Sequence, residues 1–340
     1  MTAIQPPQLP LSAPVIPGLT FRTLRVDADY PQIVAINNIC WPLDGRIETD
    51  TLEGRRRHWS GMENFDPQNI LVVEVNDVII GYATITWEER SDSERWFYIY
   101  ATLLPQWRRK GIGGAVQDWI EARSQAVNAA LPVKDKCLFD TYCFDVVVGK
   151  MALLTQRGFH VDYHGDMMDR SLEEPIPIFD LPTGIEVRPA QLAHIRQIYE
   201  AMQQGFKPEP DPTNATEEQV KDFVAYYGTE KLDLWQIAWE SASNEIVCVV
   251  IGITDEMINP RTGMKHGDLA SISTRHKWRK RGIAKALIAR CLTQLKRRGM
   301  RMATVGVFDG NADAIELYKS FGFRNALGMT GYQKRLVSSL

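Results

Sequence analysis

The chain has no apolar stretch that could span a bilayer. Its longest run, Ile246 to Ile253, falls far short of the roughly 20 residues a membrane helix needs. There is no excess of charge of either sign, the formal net charge being -3 over 340 residues. That excludes a global pull toward nucleic acid or anionic lipid, so any basic site has to be local. The five cysteines have no C-x-x-C spacing and leave an odd one over, which excludes a disulfide framework and fits free thiols in a reducing compartment. The six histidines suggest no ligand set, and no metal site is expected. The first 17 residues hold five prolines and no apolar core flanked by basic residues, so residues 1–17 are expected as a disordered tail and the chain as cytoplasmic.

What the sequence does have is repetition. With 44% hydrophobic and 24% charged residues it is an ordinary globular composition, and its length suggests about two domains. Phe21 to Leu24 opens a strand followed by a helical stretch, and Ile185 to Pro189 does the same. Paired strands flank Asn76-Asp77 and again Ser243-Asn244, both turn signals. Two similar hexapeptides follow, Arg108-Arg-Lys-Gly-Ile-Gly113 and Arg279-Lys-Arg-Gly-Ile-Ala284, each before an amphipathic helix. Arg157-Gly158-Phe159 is answered by Phe321-Gly322-Phe323. Four landmarks in one order, at offsets between 164 and 171 residues, imply a duplication. The expected organisation is a first domain over 18–172, a linker over 173–183 with its prolines, and a second domain over 184–340. Strands joined through a crossover helix imply an α/β (or α+β) sheet flanked by helices in each copy.

A glycine turn between strand and helix is suited to anions, because first-turn amides lack acceptors and the helix dipole favours negative charge there. Arg279, Lys280 and Arg281, or Arg108, Arg109 and Lys110, add cationic donors around Gly282 or Gly111. A solvated basic helix start would read the same way in a single copy. The spacing matches neither a Walker A loop nor the G-x-G-x-x-G dinucleotide fingerprint.

It does match R-x-x-G-x-G/A, and on that motif both copies resemble the GCN5-related N-acetyltransferase (GNAT) superfamily, whose loop cradles the CoA pyrophosphate. Asn311 to Phe323 is similar to the family's N-x-x-A-x-x-x-Y…GF segment. The resemblance implies two tandem GNAT domains, each a mixed, mostly antiparallel sheet, and acetyl-CoA as co-substrate with an amine as acceptor. It implies cofactor contacts from residues 279–284 (Arg279, Lys280, Arg281, Gly282, Ile283, Ala284), from Asn311, and from the strand amides of Ile272, Ser273 and Thr274. In the first copy Arg108, Arg109, Lys110, Gly111, Ile112 and Gly113 occupy the corresponding loop. The arrangement is similar to that of tandem GNAT proteins such as mycothiol synthase, in which the second domain does the chemistry.

Aligned on the loop glycines, Asp268 lies where the family commonly carries a general base, and Phe97 takes its place in the first copy. Aligned on Gly322 and Gly158, Tyr318 faces Leu154 and Asn311 faces Val147. Catalysis is therefore expected in the second copy, with Asp268 as base and Tyr318 as proton donor to the thiolate, while Asp255 and Glu256 remain competing carboxylates. The acceptor pocket is expected among residues 205–229, with an arm at 207–216 able to cover it. Two other readings stay open: a non-catalytic acyl-CoA sensor, and nucleic-acid binding through the basic run 276–281. The expected partners are acetyl-CoA and an amine, with no nucleic acid and no membrane, in a monomer with an internal pseudo-dimer or in a homodimer.

Overall fold

The computed structural model describes residues 13–336, apart from 47, 63, 92, 207–213 and 260–262. Most of the proline-rich tail and the core of the proposed arm thus lie outside the described residues. None of the described helices is long and apolar enough to cross a membrane. Two compact units divide the chain: residues 1–164 with 328–340, and residues 165–327.

In unit 1 the strands run β1 (Leu19–Thr23), β2 (Ile70–Val75), β3 (Val78–Glu89), β4 (Glu94–Leu103) and β5 (Lys136–Phe144), neighbour to neighbour in that order. Helices α1 (Tyr30–Leu43) and α2 (Leu52–Ser60) follow β1, α3 (Ile112–Ala129) connects β4 to β5, and α4 (Val148–Gln156) follows β5. Asn76 and Asp77 both take positive φ, 49° and 64°, the geometry that matches a two-residue turn to strand twist. Helix α3 buries Ile112, Val116, Trp119, Ile120 and Val127, one stripe at helical spacing. It is the crossover that parallel pairing requires, joining β4 to β5 in the register Glu94↔Lys136 to Tyr98↔Asp140.

Unit 2 repeats the plan. Its strands β7 (Ile185–Pro189), β8 (Trp235–Glu240), β9 (Glu245–Asn259), β10 (Met264–Thr274) and β11 (Met302–Phe308) are neighbours in sequence order, with α7 (Ile283–Arg297) as crossover. Helices α5 (Ile195–Phe206) and α6 (Glu217–Tyr227) precede β8, and α8 (Ala312–Lys319) follows β11. The core gathers Val247, Val249 and Ile251 of β9 with Ile283, Leu287, Leu292 and Leu295 of α7.

The recurring glycine-phenylalanine pairs end helices. Gly158 and Gly322, at φ 77° and 85°, follow α4 and α8. The amides of Phe159 and Phe323 then reach back to the carbonyls of Leu154 and Tyr318, at 3.0 and 3.2 Å. This is a Schellman closure, which needs a left-handed residue and so selects glycine.

Each unit's sheet is finished by a strand from the other copy's sequence. In unit 1, β12 (Arg324–Arg335) pairs with β5 from Met329↔Phe144 to Arg335↔Leu138. In unit 2, β6 (His160–Ser171) pairs with β11 from Gly165↔Phe308 to Ser171↔Met302. Arg170, fully buried, fastens β6 there through the carbonyls of Phe321 (2.5 Å), Glu174 (3.2 Å) and Pro175 (3.3 Å).

All five cysteines are free and buried. His160 and His164 do have the four-residue spacing of a helical metal chelate, but they stand on strand β6, where four residues span roughly 13 Å. His164 is engaged with the Thr330 hydroxyl at 3.1 Å.

Candidate active site

Both hexapeptides fold alike. Lys280 and Gly282 take φ 58° and 81°, and Arg109 and Gly111 take 61° and 83°. A left-handed non-glycine residue is strained, so its recurrence at one position in both copies points to a backbone role. The alternation turns successive amides to one side, making an anion nest at a helix N-terminus that no side chain caps.

The first cation of each loop does not face that nest. Arg279 donates to the carbonyls of Thr274 (3.2 Å) and Gly205 (2.7 Å), and Arg108 to that of Leu103 at 2.9 Å. These arginines hold the end of the strand. Lys280 and Asp313 form an exposed ion pair at 2.6 Å, and Arg281 stacks 4.6 Å over Trp278. Backbone amides of 282–284 thus form the nest, with Lys280 and Arg281 exposed at its rim.

The copies differ in access. A β-carbon built at Gly282 meets nothing within 4 Å, whereas one at Gly111 meets Pro14 at 3.4 Å. Residues just before β1 therefore lie over the first nest, anchored as Ile16 accepts from the Leu19 amide at 3.1 Å and packs against the core. Asp44 grips Arg108 through two bonds of 2.7 and 2.9 Å, and Arg109 lies against Gly149, its Nε 3.3 Å from a β-carbon placed there.

Next to the nest, the parallel strands part. In unit 2 the pairing of β10 with β11 stops at Asp268↔Thr304, although β10 continues to Thr274 paired with β9. Past Asp268, every second backbone amide of β10, within the stretch Ile272 to Thr274, faces the gap. The β9–β10 ladder also slips between Leu269 and Ser271, whereas the corresponding β3–β4 ladder in unit 1 is continuous from Gly81↔Leu103 to Glu89↔Arg95. A bulge leaves one residue out of the ladder and re-aims its neighbours. No signal in the residue types marks it.

Asp268, the last paired residue before the gap, is half-buried. Tyr318 is buried, and burial first and the Asp268 charge second push its phenol up to about 12. The same carboxylate acts on Tyr227 at the end of α6, whose phenol is raised mainly by burial and partly relieved by a bond with Ser271. Asp268, Tyr318 and Tyr227 thus share one neighbourhood. Tyr227 was not distinguishable in sequence, since nothing in its helix ties it to a site on β10. Asn311 caps α8, accepting from the Ala314 amide at 3.2 Å. Ser273 donates its hydroxyl to the Met202 carbonyl at 2.8 Å, so its side chain serves packing against α5. The side chains of Asp255 and Glu256 lie outside the described residues.

In unit 1 the positions aligned with Asp268 and Tyr318 are the apolar Phe97 and Leu154. Phe97 is fully buried among aromatic neighbours, 6.2 Å centroid to centroid from Phe139. Leu154 packs where unit 2 has Tyr318.

The acetyltransferase (GNAT) family profile matches the chain twice, over residues 30–132 and 195–323, and the chain belongs to that family. Its tandem arrangement has solved counterparts. A GCN5-related N-acetyltransferase from Sphaerobacter thermophilus is similar over 98% of both chains, at 24% identity and a TM-score of 0.70. A tandem GNAT protein from the clavulanic acid biosynthesis pathway aligns over 95% of this chain and 100% of its own, at 14% identity and a TM-score of 0.70. Saccharomyces cerevisiae N-myristoyltransferase, with bound myristoyl-CoA, aligns over 96% of this chain and 81% of its own, at 12% identity and a TM-score of 0.63. At these identities the likeness is one of fold. No curated protein matches the chain significantly.

Proposed function

We propose that unit 2 is an acetyl-CoA-dependent N-acetyltransferase acting on an amine of a small molecule or peptide, and that unit 1 is not catalytic. The observation that carries this is the coincidence, in unit 2 alone, of an open glycine nest and a bulged strand with Asp268 at its gap, whose charge reaches the buried Tyr318.

The nest at Gly282–Ala284 binds the pyrophosphate, and β10 amides at Ile272–Thr274 receive the thioester carbonyl. Those amides are fixed by the β9 ladder before reaction, so they stabilise the oxyanion without reorganising. Asp268 takes a proton from the acceptor ammonium, directly or through one water. The nitrogen then attacks the carbonyl carbon and the carbon–sulfur bond breaks. Tyr318, with its phenol near 12, holds its proton more tightly than a thiol of about 8.5. It therefore steadies the departing thiolate by donating a hydrogen bond; the ammonium's first proton goes out through Asp268, and the second, released from the nitrogen once it is acylated, passes to the thiolate or to water. This refines the expectation of full proton transfer from Tyr318.

In the basic run, Lys277 reaches Glu245 at 3.1 Å and Lys280 pairs with Asp313, while the preceding Arg275 reaches Glu245 at 3.4 Å. Such local neutralisation favours a loop built around its backbone over a nucleic-acid surface.

Calorimetric titration with acetyl-CoA tests the reading. Wild type and Gly111→Glu are expected to bind one equivalent, and Gly282→Glu none. Binding that survives Gly282→Glu but not Gly111→Glu would move the cofactor site to unit 1.

A further inference from the structure

Unit 1 keeps a gap between its parallel strands but fills it differently. Beyond Tyr98↔Asp140 the pairing of β4 and β5 ends, and the Thr141 hydroxyl donates across to the Ile99 carbonyl at 2.9 Å. Lys150, in the first turn of α4, reaches over this point. Its ammonium donates to the Tyr142 carbonyl at 2.9 Å and lies 3.4 Å from the Thr141 hydroxyl. Aligned on Gly158 and Gly322, the second copy has Ala314 at this position. A cation has been set where the other unit has a methyl group.

A second cation faces the same mouth. The Trp41 indole donates to the Tyr100 hydroxyl at 2.9 Å, fixing two aromatic rings as one wall. Arg46 lies 4.3 Å over the Trp41 ring, and Lys150 5.8 Å from the Tyr100 ring centroid. Arg46 is held by its own backbone, its amide donating to the Trp41 carbonyl at 2.9 Å, while its side chain stays 23% exposed.

The charges do not balance there. Asp44 is taken up by Arg108, and Asp50 by Arg55 and Asn37. Glu48, about half exposed, pairs with Arg46 at 3.3 Å. Among the described residues no carboxylate is within ion-pair distance of Lys150. Burial pushes its pKa down, offset in part by the nearby Cys143 and Asp44 and reinforced by the charge of Arg46.

We propose that this mouth is a binding site for a small monocarboxylate, held between Arg46 and Lys150 against the Trp41–Tyr100 wall. An arginine fork and a lysine point charge are complementary donors for the two oxygens of a carboxylate. Two cations less Glu48 leave one net positive charge, which one carboxylate neutralises and a phosphate dianion would overshoot. The aromatic wall rewards an apolar or planar body behind the carboxylate. The site is independent of acyl transfer in unit 2.

Benzoate tests it by calorimetric titration of the full chain, with inorganic phosphate and acetyl-CoA titrated in parallel. Benzoate is expected to bind saturably, and at least about tenfold more weakly to Lys150→Met and to Arg46→Gln, as for removal of one charged hydrogen-bond partner. Acetyl-CoA binding, the reporter on unit 2, is expected to be unchanged in both variants. Thermal melts establish that each variant is folded; if one is not, the other decides. No saturable benzoate binding, binding that survives the substitution, or phosphate bound more tightly than benzoate overturns the proposal. So does acetyl-CoA displacing benzoate, because the gap would then be a cofactor site.

Discussion

Gly205 approaches Ser273 so closely that a β-carbon at 205 would sit 1.9 Å from the serine hydroxyl oxygen and 3.2 Å from the Thr274 amide nitrogen. The glycine is therefore what lets the C-terminal end of α5 pack onto the edge of β10 assigned to the cofactor. Gly205→Ala should destabilise unit 2 by about 1–3 kcal/mol through overpacking, and weaken acetyl-CoA binding because β10 has to shift. Adding Ser273→Ala removes the clashing oxygen and should recover much of both. Thermal melts and acetyl-CoA titrations of the single and double variants check this; additive losses would place the strain elsewhere.

Asp268→Asn separates binding from chemistry. The amide is nearly isosteric and lies away from the Gly282 nest, so acetyl-CoA affinity should hold. Turnover with a true acceptor should fall roughly 10²-fold or more, the usual worth of a positioned base. Unchanged turnover would give the proton to another group.

How much of this was legible in the sequence depends on whether residue type or register carries it. The duplication, the hairpins and both nests were readable because Gly111, Gly158, Gly282 and Gly322 mark backbone positions that other residues enter only under strain. Asp268 and Tyr318 were singled out by the resemblance to the family together with the alignment of one copy on the other. The β10 bulge was not readable, since Leu269 to Ser271 have no residue that demands it. Nor was the exchange of β6 and β12, because both are strands at equivalent places after α4 and α8, and either sheet offers the same edge. The inward turn of Arg108 and Arg279 was hidden for a related reason: a cation beside a nest reads as a ligand until its carbonyl partner is known.

Alkaline unfolding should carry the mark of Tyr318. Its phenol titrates near 10 when unfolded and is pushed up to about 12 in the fold. The native state then holds a proton that the unfolded chain releases. This contribution is intact below pH 10 and is lost as pH rises through 12. Tyr98 and Tyr163 of unit 1, also pushed up to about 12, act in the same direction. Tyr318→Phe should therefore flatten the fall of the unit 2 melting temperature between pH 10 and pH 12. An unaltered slope would mean that the Tyr318 phenol is not raised.

Removing β12 should damage the unit to which it does not belong in sequence. A chain ending at residue 323 keeps every strand of unit 2, from β6 to β11, but takes Tyr332 and Leu336 out of the unit 1 core and unpairs β5 from Leu138 to Phe144. It also loses the Lys334–Glu121 ion pair, at 2.7 Å, and the Thr330–Asp145 hydrogen bond, at 2.9 Å. An exposed edge and two missing core residues cost several kcal/mol, large against the stability of one domain. Hydrogen exchange should then show β4 and β5 unprotected while β9 and β10 stay protected, with acetyl-CoA binding retained at Gly282. If instead β9 and β10 lost protection first, the strand exchange would be wrong and β12 would belong beside β11.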